Sequence, residues 1–96
     1  MEKLRAYVCI NGRVQGVCFR METRRAAKER GLTGWVKNLP DGRVEAVFEG
    51  DSTSVESMLK SMLKWCETGA PLARVTRVTV EREPHSGEFD TFRITY

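Results

Sequence analysis

Apolar and polar residues alternate along much of this chain, and two stretches of helical periodicity interrupt the alternation. No other feature restricts the fold as much. A period of two fits a half-buried strand, and a period near 3.6 fits a helix with one buried stripe. From Lys3 to Asn11, Leu4, Ala6, Val8 and Ile10 take one face, and Lys3, Arg5, Tyr7 and Asn11 the other. A helix rich in Ala, Arg and Glu is predicted from about Phe19 to Arg30, with Phe19, Thr23, Ala26, Ala27 and Arg30 on one side. Gly31 and Leu32 suit the glycine and apolar positions that close a helix in a Schellman motif. Thr33 to Leu39 and Arg43 to Glu49 read as a hairpin around the turn Pro40-Asp41-Gly42. Its second arm puts Val44, Ala46 and Phe48 on a buried face and Arg43, Glu45 and Glu49 on a wet one. The second helix carries Val55, Met58, Leu59, Met62, Leu63 and Cys66 at i, i+3, i+4 spacing, with its methionines as core filling. A capping box of Thr53 and Glu56 is expected to open it, and Gly69 and Pro71 to end it. Arg74 to Glu83, with Val75, Val78 and Val80, gives another strand. Pro84 to Gly87 is a turn, and Phe92, Ile94 and Tyr96 mark a closing strand.

The order is strand, helix, strand, strand, helix, strand, with a short terminal strand. Two split βαβ units of this kind predict an α+β, ferredoxin-like sandwich: a mostly antiparallel sheet with two helices on one face. At 96 residues, one domain spanning 1–96 is expected.

Charge and cysteine usage narrow the function. A net charge of +3 suits an anionic ligand but is too small to demand nucleic acid. Cys9, Cys18 and Cys66 are scattered and odd in number, so neither a zinc site nor a secreted disulfide framework is expected. The first residues have no apolar signal core, and no run is long enough to span a bilayer. A cytoplasmic location, no membrane association and a monomer are the expectations.

The chemistry concentrates in Gly12-Arg13-Val14-Gln15-Gly16-Val17-Cys18-Phe19-Arg20, between the first strand and the first helix. A loop with two glycines can turn several backbone N–H groups toward one point, where the helix dipole favours negative charge. Arg20 adds a planar fork of donors suited to a tetrahedral oxyanion. The stretch therefore reads either as a phosphate cradle or as a tight connection whose arginines are merely solvated. The nucleotide P-loop and the G-x-G-x-x-G fingerprint are both absent, which argues against a nucleoside triphosphatase or a dinucleotide site. The spacing argues against a thiol phosphatase as well. Phe19 alone separates Cys18 from Arg20, whereas such a cradle places its arginine several residues after the nucleophile. His85, the single histidine, lies in a Pro/Ser/Gly turn far along the chain and reads as a loop residue. On pattern alone Asn38 is equally a turn former beside Pro40.

Taken together, several of these blocks resemble the acylphosphatase (acylphosphate phosphohydrolase) family over nearly the whole chain. The first is Gly12-Arg13-Val14-Gln15-Gly16-Val17-x-Phe19-Arg20. Thr23, Ala27, Gly31-Leu32-x-Gly34-Trp35-Val36-x-Asn38 and Asp41-Gly42-x-Val44 follow, and Phe89-x-x-Phe92-x-Ile94-x-Tyr96 ends the match. Gly69-Ala70-Pro71 departs slightly, since relatives more often have Gly-Pro directly. The resemblance implies a ferredoxin-like fold and a hydrolase that cleaves the carboxyl–phosphate bond without metal or cofactor. It places the phosphate-binding arginine on Arg20 and the water-orienting asparagine on Asn38. The backbone cradle falls on Gln15, Gly16, Val17, Cys18 and Phe19. Arg13, Lys37 and Arg43 are expected to be solvated.

Such residues suffice for the reaction. A carboxylate whose conjugate acid has a pKa of about 4 leaves without a general acid. The transition state is loose, so positioning and electrostatics can supply most of the catalysis. Small-molecule acyl phosphates are the expected substrates, with aspartyl-phosphate proteins a second class. Two rivals share the fold class, and fold alone does not decide between them. One is a non-catalytic module that binds phosphate or carbamoyl phosphate. The other is an RNA-binding domain, which needs exposed aromatics on its central strands.

Overall fold

The computed structural model describes residues 3–51 and 53–96. Its elements are β1 (Leu4–Arg13), α1 (Phe19–Glu29), β2 (Thr33–Asn38), β3 (Val44–Gly50), α2 (Val55–Thr68), β4 (Arg74–Glu83) and β5 (Phe92–Thr95). The strands form one sheet in the order β4-β1-β3-β2-β5. The β1–β3, β1–β4 and β2–β3 pairs are antiparallel, and β5 joins β2 in parallel. The expected mostly antiparallel, ferredoxin-like arrangement is therefore present.

Register follows from burial. Val80, Val8, Ala46, Val36 and Ile94 stand opposite one another in a row that crosses every strand. A slip of one residue in any strand would turn its apolar side to the wrong face. Val8, Ala46 and Val36 of this row, with Ile94 packed against them, meet Ala26 and Ala27 of α1 and Leu59, Met62 and Cys66 of α2 in one buried cluster, while Val80 on the edge strand stays 41% exposed. Both helices thus cover the same face, and the alanines of α1 are small enough for a close approach to the sheet.

Helix ends follow local chemistry in one case and depart from it in the other. The Schellman ending forms: Leu32 N–H donates to the Ala27 carbonyl at 3.0 Å and Gly31 N–H to that of Lys28 at 3.1 Å. The Thr53–Glu56 capping box does not. Ser54 occupies the N-cap without a side-chain cap bond, which moves Glu56 to the second helical position, one short of where a box needs it.

Two further expectations are corrected. β1 runs on to Arg13, so Gly12 and Arg13 belong to the sheet and pair with Val75 and Arg74 across a bulge. That bulge takes up one extra residue of β4 and lets both Val75 and Val78, three apart, pack on the core. Glu49 is the second correction. It was assigned to a wet face, yet it is 1% exposed. β4 and β5 are opposite edges of the sheet, so residues 84–91 must cross four strand spacings, about 19 Å. An extended segment of that length reaches up to about 27 Å. The crossing segment lies over β3, where the Glu49 carboxylate accepts Ser86 N–H and Oγ–H at 2.9 Å each and Gly87 N–H at 3.1 Å. Arg5 donates to the same carboxylate at 3.0 Å. Burial pushes the Glu49 carboxyl up, but the Ser86 N–H, the Arg5 guanidinium and the other donors outweigh it and hold the group below the usual carboxylate range. His85 lies in this connection, a loop residue as expected, and is mostly buried there, with Nε2 3.7 Å from Glu49 Oε1.

Candidate active site

Between β1 and α1 the chain turns through residues 14–18. Val14 is 1% exposed and fixes the start of the turn to the core. Gly16 has φ +76° and Cys18 φ +59°, ψ +24°, so the backbone twists left-handed twice within three residues. Glycine takes that conformation freely, whereas at Cys18 it costs about 1 to 2 kcal/mol. Strain of this kind persists where the surroundings impose it, often at functional sites. Cys18 is also the N-cap of α1 and makes no side-chain cap bond. The N–H groups of the first helical turn consequently lack intrahelical acceptors. Among the described residues, no acceptor is bonded to the N–H groups of residues 15–18 either.

Packing sets the orientation of this helix start. Phe19 is buried, with its ring 5.7 Å from that of Trp65. A Cβ added to Gly69 would lie 2.2 Å from Phe19 Cε2, so the end of α2 touches the ring through a residue without a side chain. Thr23 Oγ1 donates to the Phe19 carbonyl at 2.7 Å and closes the first turn. Arg20 follows directly. Its guanidinium sits 5.0 Å above the Tyr96 ring, and among the described residues no carboxylate pairs with it. A cation in the first turn opposes the helix dipole. An anion held between the two would remove that conflict.

Asn38 ends β2, beside the hairpin turn. Leu39 N–H donates to the Arg43 carbonyl at 2.8 Å, and Gly42 N–H to that of Leu39 at 3.2 Å. Across this turn reaches Gln15, whose Nε2 donates to the Leu39 carbonyl at 2.7 Å and the Arg43 carbonyl at 3.0 Å. Loop and hairpin therefore meet in one cleft of about 370 Å³, lined among others by Gln15, Gly16, Cys18, Arg20, Asn38 and Tyr96. The Oδ1 of Asn38 is buried and, among the described residues, has no hydrogen-bond partner.

The structure brings Arg20 and Asn38 to one cleft together with Gln15, Gly16, Cys18 and Phe19. Val17 is turned onto the core instead, where only its backbone remains for a ligand. Four lining residues escaped sequence reasoning, Val14, Met21, Ile94 and Tyr96. For the last two, alternation with Phe92 pointed only to a closing strand. What it lacked was the parallel β2–β5 pair that sets them beside Asn38. The side chain of Gln15 was missed too, having been read for its backbone alone. Arg43 and Lys37 are less free than expected: Arg43 pairs with Asp41 at 2.8 Å, and Lys37 lies 3.9 Å from Glu45. Arg13 is exposed.

Other chemistries find little support. Phe48, which an RNA platform would need on the surface, stacks on Phe92 in the core with centroids 5.4 Å apart. Cys66 is buried, and burial pushes its thiol up to about 12. Among the described residues no helix is long and apolar enough to cross a membrane.

Comparison with known proteins covers nearly the whole chain. The acylphosphatase family model matches residues 6–94. The chain is 54% identical over 96 residues to an acylphosphatase of Syntrophobacter fumaroxidans, covering all of this chain and 95% of that one. It is 46% identical to an acylphosphatase of Pelotomaculum thermopropionicum, with both chains covered in full. The crystal structure of acylphosphatase from Bacillus subtilis superposes with a TM-score of 0.89 at 38% identity, covering 97% of this chain and 99% of that one.

Proposed function

This chain belongs to the acylphosphatase family, hydrolases of acyl phosphates, and from that premise we propose that Arg20, Asn38 and the 15–19 loop carry the reaction. The phosphoryl group binds at the start of α1. The N–H groups of Gln15, Gly16, Val17, Cys18 and Phe19 donate to its oxygens, and the Arg20 guanidinium grips two of them at once. The Tyr96 ring, its centroid 5.0 Å from Arg20 Cζ, adds a cation–π contact to the fork. Asn38 orients the attacking water, and that water supplies the donor that its Oδ1 lacks. Attack on phosphorus breaks the bond to the carboxyl oxygen and releases a carboxylate and inorganic phosphate. The water's proton passes to a phosphoryl oxygen.

One observation carries this reading. An Arg without a carboxylate partner and a buried amide oxygen without a donor line the same cleft as a loop whose N–H groups are unused. An unsatisfied buried polar atom costs about 1 to 3 kcal/mol, which a reactant can recover on binding. A preorganised donor set aimed at developing phosphoryl charge is worth more in such a cleft than in water.

Among the described residues no Asp, Glu or His lines the cleft, so the leaving group must depart unprotonated. Acyl phosphates meet that condition, whereas alkyl phosphates leave as alkoxides and do not. The test is hydrolysis of benzoyl phosphate with a chelator present, beside an alkyl phosphate at equal concentration. Turnover of the first at least about a thousandfold faster, undiminished by the chelator, is the expected result. Comparable rates for both substrates, or loss of activity to the chelator, would overturn it.

A further inference from the structure

We propose that Gln15 is a positioning residue that sets the distance between the phosphate cradle and Asn38, through its side chain and independently of its backbone N–H. This rests on the role given to Asn38 above. The reaction needs two fragments held at a fixed separation. Phosphorus sits where the 15–19 loop puts it, and the attacking water sits where Asn38 puts it. These fragments are neighbours only through the fold. β1, which leads into the loop, does not pair with β2, which carries Asn38; β3 lies between them. Among the described residues the loop also has no backbone–backbone hydrogen bond to the hairpin.

Gln15 spans that gap. Its amide nitrogen has two hydrogens, and they meet the two carbonyls that flank the hairpin turn, Leu39 at 2.7 Å and Arg43 at 3.0 Å. Both carbonyls already accept an N–H within the turn, from Gly42 and from Leu39, so Gln15 fills their second lone pairs. Asn38 is the residue directly before Leu39. The clamp therefore closes one residue from the amide that orients water, and it opens from within the cradle itself. Neither Asn nor Glu reproduces it at this position. Asn is one methylene short, and an ionised Glu would face two carbonyl oxygens with no hydrogen to give. An in-line reaction is sensitive to small displacements, and a misplacement of about 1 Å costs on the order of a hundredfold.

The prediction is a coupled loss. Gln15→Met keeps the length and removes both donors. We expect kcat on benzoyl phosphate to fall about ten- to a hundredfold while inhibition by inorganic phosphate stays within about threefold, since the backbone cradle remains. Asn38→Ala is measured beside it, together with the double variant. If Gln15 acts through Asn38, the double variant is no slower than Asn38→Ala alone. Gln15→Ala repeats the cycle should the methionine variant not fold, as judged by circular dichroism. Losses that multiply, an unchanged kcat in folded Gln15→Met, or weakened phosphate inhibition with kcat intact would each overturn the inference, leaving the reading of the site standing. An unimpaired Asn38→Ala would instead remove the role of Asn38, and this inference with it.

Discussion

Replacing Glu49 with Gln should cost this protein much of its stability at neutral pH and far less in acid. The carboxylate is 1% exposed and accepts Arg5, both donors of Ser86, and Gly87 N–H. Gln keeps one acceptor and turns an NH2 group toward a donor, while Arg5 loses a buried partner. Breaking a buried ion pair from one side costs about 3 to 5 kcal/mol. Arg5 retains Glu83 at 2.9 Å and Glu88 at 3.2 Å, so the lower figure, about 3 kcal/mol, is the better estimate. In a domain of this size 1 kcal/mol moves Tm by roughly 4 to 8 °C, so the variant should melt roughly 12 to 24 °C below the parent. The pH dependence has a definite sign. A carboxyl held below its unfolded value, about 4.3, contributes stability that is complete above that value and lost as pH falls through the folded pKa. Thermal melts of parent and Glu49→Gln at pH 7 and at a series of values below 4.5 should therefore converge in acid. Melting points within about 2 °C at pH 7, or a gap that persists undiminished in acid, would refute the reasoning.

Two other substitutions separate packing from chemistry. Cys18→Ser should keep kcat on benzoyl phosphate within about threefold, because the thiol makes no cap bond and only its left-handed backbone shapes the loop; a loss beyond about a hundredfold would restore a nucleophilic role. Gly69→Ala should lower stability by about 2 to 4 kcal/mol in urea titration, since the new Cβ would lie 2.2 Å from Phe19 Cε2 at a φ of +68°; an unchanged midpoint would show that the Phe19 contact does not fix the helix start.

Much of the fold was legible because burial in this chain follows period. The row from Val8 through Ala46 and Val36 to Ile94 is written as alternation in its strands. The Schellman ending at Gly31 and Leu32 is likewise a local matter, settled by two residues. The misses share a different cause. Glu49 reads as a solvent residue because the segment that buries it arrives from residues 84–91, far along the chain. Val75 and Val78 break alternation, and only the bulge opposite β1 explains them. In the cleft, Arg20 and the loop were marked by a conflict visible in the sequence, a cation at a helix start. Tyr96 and the side chain of Gln15 carried no such mark, since their roles depend on which strand lies beside which. Asn38 was marked by the family pattern rather than by its own surroundings, where a turn former fits as well.

The central claim is that Arg20 holds phosphate and Asn38 directs water. It is tested most directly by steady-state hydrolysis of benzoyl phosphate with parent, Arg20→Gln and Asn38→Ala, each with its inhibition constant for inorganic phosphate. Arg20→Gln should lose kcat/KM by on the order of a hundred- to a thousandfold and bind phosphate at least about tenfold more weakly. Asn38→Ala should lose kcat by a similar factor while phosphate inhibition stays within about threefold. Parent-like turnover in either folded variant would contradict the account.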